Sequence, residues 1–259
     1  MRPRDPQPLD GFQSGYCAPR DWRTAIDPND AYFSADDLLA LWISLKLALT
    51  TVVLLLLICT PLAWWLAVSR SRLRTVVEAI AALPLVLPPT VLGFYLLLFL
   101  GPQGWGGWLT RQLGMAPLSF SFGGLVLGSM LYSLPFVVQP LQNAFQDIGA
   151  RALEVAATLG ASPWDRFLTV ALPLARRGFI TGSVLAFAHT LGEFGVVLML
   201  GGNIPGRTQT TSIMIYNHVE ALDYRGAHHL ASALLLTCFI LLLLVYGANR
   251  STRISPVTV

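Results

Sequence analysis

Glu154-Val155-Ala156-Ala157-Thr158-Leu159-Gly160-Ala161-Ser162-Pro163-Trp164-Asp165-Arg166, continuing through Phe167-Leu168-Thr169 to Val170-Ala171-Leu172-Pro173, is a polar, punctuated stretch between two apolar ones. Glu154 to Leu159 are good helix formers. Gly160 permits an abrupt change of direction, because glycine takes positive φ at no steric cost. Ser162 suits an N-cap, Pro163 the first helical position, and Asp165 the closing position of a capping box. Pro173 then interrupts the chain before the next apolar run. Two short helices meeting at an elbow are expected, with Glu154, Ala157, Ala161 and Trp164 on the exposed face. The small residues there allow close approach by another protein. An ordinary surface loop would account for the glycine, but not for the ordered succession of caps and stops.

The surroundings of this elbow set the fold class. The chain has 259 residues, 54% hydrophobic and only 12% charged, where a soluble domain carries about 25% charge. Apolar runs of helical length, rather than alternating ten-residue segments, indicate an all-α integral membrane protein and not a β-barrel. Five spans are expected, at roughly 39–69, 75–100, 123–145, 178–200 and 228–248. Residues 1–38 read as a polar, disordered tail with no signal peptide, or as an upstream extension of the reading frame. Residues 250–259 read as a short tail with no regulatory domain. The transmembrane domain is thus expected at 39–249. Cys17, Cys59 and Cys238 are far apart and suggest neither a disulfide frame nor a metal quartet. His228-His229 lacks acidic or cysteine partners at ligand spacing. The net charge of +3 is dispersed beside the spans, which argues against nucleic acid as a partner.

Charge near the span ends sets the orientation. Arg70, Arg72 and Arg74 follow the first span, Arg151, Arg166, Arg176 and Arg177 flank the elbow, and Arg250 and Arg253 follow the last. With five spans these sets share one side, so the N-terminus is expected outside and the elbow and C-terminus in the cytoplasm.

Within the spans, Pro84, Pro88 and Pro89 crowd the second, where missing donors and freed carbonyls point to a bent helix beside a cavity. Proline is also common in membrane helices for no such reason. Ser44, Lys46, Thr50, Thr51, Thr90 and Ser133, with Pro88 and Pro89, are candidate pathway residues. Lys46 is the sole lysine. A lysine at a span centre costs about 2.5–3.5 kcal/mol, but Lys46 lies close enough to the outer end to snorkel. Glu193 would repel a dianion if ionised, and reads as a structural group, protonated or bonded to a neighbouring helix. The Gly178-x-x-x-Gly182 spacing suits close helix contact, either within one subunit or between two.

The order of residues in the elbow resembles the EAA motif of ATP-binding-cassette importer permeases. That pattern runs Glu-Ala-Ala, three residues, Gly, nine residues, Ile, one residue, Leu-Pro. Glu154, Ala156, Gly160, Leu172 and Pro173 fall on it, while Val155 replaces an alanine and Val170 the isoleucine. The resemblance implies that Glu154, Ala156, Ala157, Gly160, Ala161, Leu172 and Pro173 form the coupling helix and its flanks, seated in a groove of an ATPase subunit. No Gly-x-x-x-x-Gly-Lys-Ser/Thr loop occurs, so ATP and its magnesium are expected on a partner chain. No catalytic residue, metal or cofactor is expected on this one.

A second resemblance concerns the cargo. Leu83-Pro84-Leu85-Val86-Leu87-Pro88-Pro89-Thr90-Val91-Leu92-Gly93 and His189-Thr190-Leu191-Gly192-Glu193-Phe194-Gly195 are similar to permeases of molybdate importers. So is the run Asn203-Ile204-Pro205-Gly206-Arg207-Thr208-Gln209-Thr210. Sulfate and thiosulfate permeases share the Gly-Glu-Phe-Gly element and remain the alternative, and tungstate is not separable from molybdate. The resemblance implies a homodimer in the inner membrane, two ATPase subunits and an extracytoplasmic oxyanion-binding protein. A membrane-embedded enzyme would need more than His189 and Glu193, the one acid–base pair at helical spacing. An ion-driven carrier would give Glu154 no role.

Overall fold

A computed structural model of the chain describes residues 33–250, and all regular structure among them is helical. The expected N-terminal tail up to residue 32, Cys17 within it, and the C-terminal tail beyond residue 250 lie outside the described residues.

Helix α1, Ala35–Val68, starts at a capping box in which Ser34 and Asp37 exchange bonds. The Asp37 amide donates to Ser34 Oγ at 3.1 Å and the Ser34 amide to Asp37 Oδ2 at 2.9 Å. Next come α2 (Leu73–Val86), α3 (Pro89–Leu100) and the short α4 (Trp105–Gln112). Helix α5, Phe122–Asp147, is capped by Ser121, whose side chain accepts the Gly124 amide. The elbow comprises α6 (Gly149–Thr158), α7 (Pro163–Arg166), a π-helical turn (Phe167–Ala171) and α8 (Leu172–Leu174). It leads into α9 (Arg176–Gly192), α10 (Gly195–Gly201), α11 (Thr211–Glu220) and α12 (Tyr224–Arg250).

Among the described residues, three helices are long and apolar enough to cross a membrane unaided: α1, α5 and the 24 residues Tyr224–Gly247 of α12. Two bent pairs, Leu73–Val86 with Pro89–Gln112 and Pro163–Leu174 with Arg176–Gly192, raise this to five if each counts as one span. The expected spans 75–100 and 178–200 are each split between two helices, the first between α2 and α3 and the second between α9 and α10.

The first divides at Leu87–Pro88, with a 112° bend between α2 and the segment Pro89–Gln112. The cause is local. A residue before proline is pushed out of the α region, and Pro88-Pro89 applies this twice running, leaving Leu87 at ψ 136° and Pro88 at ψ 136°. Pro84, by contrast, sits inside α2 without ending it. The second divides at Glu193–Phe194, where Glu193 is extended at φ −68°, ψ 129°.

The core is built where α1 lies against α5 and α9. One cluster joins Leu55, Cys59 and Leu66 of α1 to Val137, Leu141 and Phe145 of α5 and to Ala186 of α9. The other, around the helix breaks, joins Leu47, Leu125, Val196, Leu200 and Ile213. The two uses left open for Gly178 and Gly182 are resolved in favour of contact within the chain. A Cβ on Gly178 would lie 2.5 Å from Ala144 Cβ and 2.8 Å from the Pro140 carbonyl oxygen. Overpacking of this kind costs about 1–3 kcal/mol. Gly178→Val is expected to destabilise the detergent-solubilised protein by about that amount, measured as a lowered thermal midpoint, while valine at exposed Gly247, with open space around it, leaves the midpoint unchanged.

Candidate functional site

Two places gather unusual chemistry: the elbow, and the point where the two broken helices meet.

The elbow is held by local hydrogen bonds. At the end of α6 the Gly160 amide donates to the Ala157 carbonyl at 3.0 Å and the Ala161 amide to the Ala156 carbonyl at 3.1 Å. This is a Schellman closure, which needs a left-handed residue at its turn, and Gly160 supplies it at φ +87°. Chain direction then resets through Ser162, whose Oγ accepts the Asp165 amide at 3.2 Å while Asp165 Oδ2 accepts the Ser162 amide at 3.2 Å. Pro163 follows at the first helical position.

Pro173 has no N–H to donate into the preceding turn. The chain answers by widening into the π-helical turn Phe167–Ala171 before α8. Aromatic rings fasten this unit to the long helices. Trp64 of α1 lies 5.3 Å from both Phe145 of α5 and Phe167 of the π-turn, and Phe145 is 6.2 Å from Phe179 of α9 (centroid distances).

Outward, the elbow shows Glu154 and Ala157, with Ala161 half-buried. Leu159 is 83% exposed and Trp164 67% exposed. Leu159 and the exposed Val155 were not singled out from sequence, because helix position alone does not say which residue of a short turn faces outward.

At the second place, α3 and α10 begin side by side. A Cβ on Gly195 would meet Pro89 Cβ at 2.8 Å, and one on Gly93 would meet Met199 Cβ at 2.9 Å. Beside this contact lies a cavity of ≈ 480 Å³ lined by Pro89, Thr90, Tyr132, His189, Glu193 and Phe194, among others. The His189 ring packs 4.7 Å from Tyr132 and 4.2 Å from Phe136, and its Nδ1 is 2.9 Å from Ser133 Oγ. Ser133 Oγ is in turn 3.1 Å from Thr190 Oγ1. Glu193 is 4% exposed, and neither carboxylate oxygen has a hydrogen-bond partner among the described residues, nor has Ser129 Oγ. Its backbone carbonyl accepts from Ser212 Oγ at 2.5 Å.

The residues expected along a pathway separate into groups. Pro89 and Thr90 line the cavity, Pro88 caps α3, and Ser133 is hydrogen-bonded to the His189 ring. Ser44 is elsewhere, its Oγ accepting the Thr211 amide at 2.8 Å. Lys46 is exposed, with Nζ 4.7 Å from the Phe122 ring centroid, and Thr51 is fully buried. Glu193 is buried beside Ser129 of α5, in keeping with a structural group. Tyr132 was not anticipated, since nothing in a lone tyrosine signals that it will face a helix break.

A third polar cluster ties the start of α1 to the 202–224 connection. His218 Nε2 is 2.9 Å from Asp37 Oδ1 and its Nδ1 is 2.8 Å from Asp223 Oδ2. Asn203, Gln209 and Asn217 bond to one another nearby.

Comparison with known proteins follows from this geometry. Residues 59–254 match the model of the binding-protein-dependent transport system inner membrane component. The chain belongs to that permease family. It is 59% identical over 217 residues to the molybdenum transport system permease protein ModB of Azotobacter vinelandii, covering 84% of this chain and 96% of that one. It is 34% identical over 182 residues to the sulfate transport system permease protein CysT of Escherichia coli, covering 70% and 65%. Among solved structures, that of a bacterial ABC transporter importing the acidic polysaccharide alginate superposes with a TM-score of 0.68. The match is at 18% identity and covers 86% of this chain and 80% of that one. The likeness is one of fold. The permease is thus a multi-pass inner-membrane protein.

The His218 cluster makes this permease sensitive to pH. Burial acts to lower the His218 pKa, but Asp37 and then Asp223, by hydrogen bonding and charge, outweigh it and hold the pKa above the ordinary 6.5. A folded-state value above the unfolded one stabilises fully below the unfolded pKa and is lost as pH rises through the folded value. The thermal midpoint is therefore expected to fall as pH rises above the ordinary histidine value of about 6.5, and His218→Gln is expected to flatten that fall.

Proposed function

We propose that this chain is the membrane-spanning permease of an ATP-driven oxyanion importer that carries molybdate, with tungstate as an equivalent cargo. The observation that carries the cargo is the 59% identity spanning nearly the whole of a molybdenum permease. The sulfate reading is second, favoured by the 34% identity to CysT over a shorter stretch.

The elbow carries the energy coupling. Its Schellman glycine and capping box fix a rigid surface on which Leu159 and Trp164 stand exposed beside Glu154. Exposed large apolar groups rimmed by charge suit a protein partner. That partner is an ATPase subunit, one per permease, hydrolysing ATP with its own magnesium. Two copies of the permease form a homodimer about the pathway, and an extracytoplasmic binding protein delivers the anion. The chain crosses five times, with α2 and α3 forming one broken span and α9 and α10 another, N-terminus outside and C-terminus in the cytoplasm. Arginines flanking the elbow support that sidedness. Alternating access follows from the coupled states of these subunits, with no chemistry in this chain.

The test is uptake in cells lacking the gene. Restoring the wild type is expected to restore molybdate accumulation at limiting concentration and leave sulfate uptake unchanged. Glu154→Ala combined with Gly160→Ala is expected to cut uptake at least about tenfold. Alanine at a left-handed position costs about 1–2 kcal/mol and shifts the elbow. Restoration of sulfate uptake instead assigns the chain to the sulfate branch, and full uptake by the double variant removes the coupling role.

A further inference from the structure

We propose that the ≈ 480 Å³ cavity at the two helix breaks is a transit subsite for a tetrahedral oxyanion, in which His189 presents its Nε2–H to the anion. The proposal rests on the oxyanion-importer reading above and names the residue that meets the cargo.

The imidazole is built into place. Tyr132 and Phe136 pack against the ring, and Ser133 Oγ lies 2.9 Å from Nδ1. Thr190 Oγ1, 3.1 Å from Ser133 Oγ, can donate to it, which sends the Ser133 proton to Nδ1. A neutral ring that accepts at one nitrogen carries its proton on the other. That other nitrogen, Nε2, has no hydrogen-bond partner among the described residues, and the residue lines the cavity. A clamped ring with one donor left over, on a residue that lines the cavity, is prepared for an acceptor that comes and goes.

The opposite wall adds further donors. Helix α3, of 12 residues, opens into the cavity through Pro89 and Thr90. Pro88 and Pro89 carry no N–H and the Val91 and Leu92 amides bond the Pro88 carbonyl, so the Thr90 amide is the open donor of this turn, at the end of a helix that favours anions. Thr90 is exposed there.

The remaining acidic group of the lining does not oppose a dianion. Glu193 is 4% exposed with both carboxyl oxygens unpartnered among the described residues. An ionised carboxylate so placed would carry a large desolvation cost, so the neutral acid is the form this site admits. No lysine or arginine lines the cavity. Neutral donors without a fixed cation bind a dianion weakly, as conduction requires: attractive enough to enter and weak enough to leave.

The experiment uses the purified permease–ATPase complex in vesicles with its loaded receptor, reading labelled molybdate uptake and ATP hydrolysis together. His189→Leu is expected to lower uptake per ATP about tenfold, the scale of one hydrogen bond to a charged group, with receptor-stimulated hydrolysis retained. His189→Gln, which keeps a side-chain N–H, is expected to stay within about threefold of wild type. Wild-type uptake by the leucine variant overturns the proposal. So does equal loss in both variants with hydrolysis intact, since that pattern belongs to packing and not to a donor. Should the leucine complex fail to assemble, Thr90→Val reads the same cavity from its exposed wall, and unchanged uptake per ATP there overturns it. A wild-type complex that hydrolyses ATP but moves neither molybdate nor sulfate overturns the importer reading itself.

Discussion

Backbone amides and carbonyls cannot be left open in hydrocarbon, because no water is there to bond them. This chain nonetheless interrupts two apolar stretches, at Leu87–Pro88 and at Glu193–Phe194. The rest of the fold is arranged to make that tolerable. The two interruptions sit against each other, with Gly195 admitting Pro89 and Gly93 admitting Met199. Helix α5 supplies Ser129, Tyr132 and Ser133 alongside, and Ser212 reaches the Glu193 carbonyl. The long helices α1 and α5 pack beside this centre through Leu47, Leu125 and Val126. Irregular backbone thus appears where protein surrounds it and a cavity opens beside it.

Much of the elbow was legible in the sequence, because its determinants are local. A glycine in a Schellman turn, a serine and an aspartate three apart, and a proline at the first helical position each act over a few residues. The all-helical membrane fold was legible for a similar reason, since apolar runs of sufficient length have few alternatives. The break at Pro88-Pro89 was half visible. Three prolines announced a bend, but only the doubled pre-proline restriction places it after Leu87 and spares Pro84.

The break at Glu193 was not legible as a break. Gly192 and Gly195 are compatible with a continuous helix in a membrane, and the contact found at the break, Gly195 against Pro89 of α3, joins residues about a hundred positions apart. The same limit hid the cavity. His189 was visible as one member of an acid–base pair, and Ser133 as a polar residue in a span. Their hydrogen bond links positions 56 apart, and Tyr132 gains its meaning from both. Ser44 and Lys46 stood out for their polarity, yet one is spent on the Thr211 amide and the other rests on a ring.

Helix α9 connects the two places. It runs 17 residues from Arg176 beside the elbow to Gly192 beside the cavity, a rod of about 26 Å at 1.5 Å per residue. It approaches α5 most closely at Gly178 and Gly182, near the elbow end, and at its other end the His189 ring packs on Tyr132 and Phe136 of the same helix. Seated on α5 at both ends, the rod has no break of its own between the elbow and the cavity, so a shift imposed at one end reaches the other as the motion of one body.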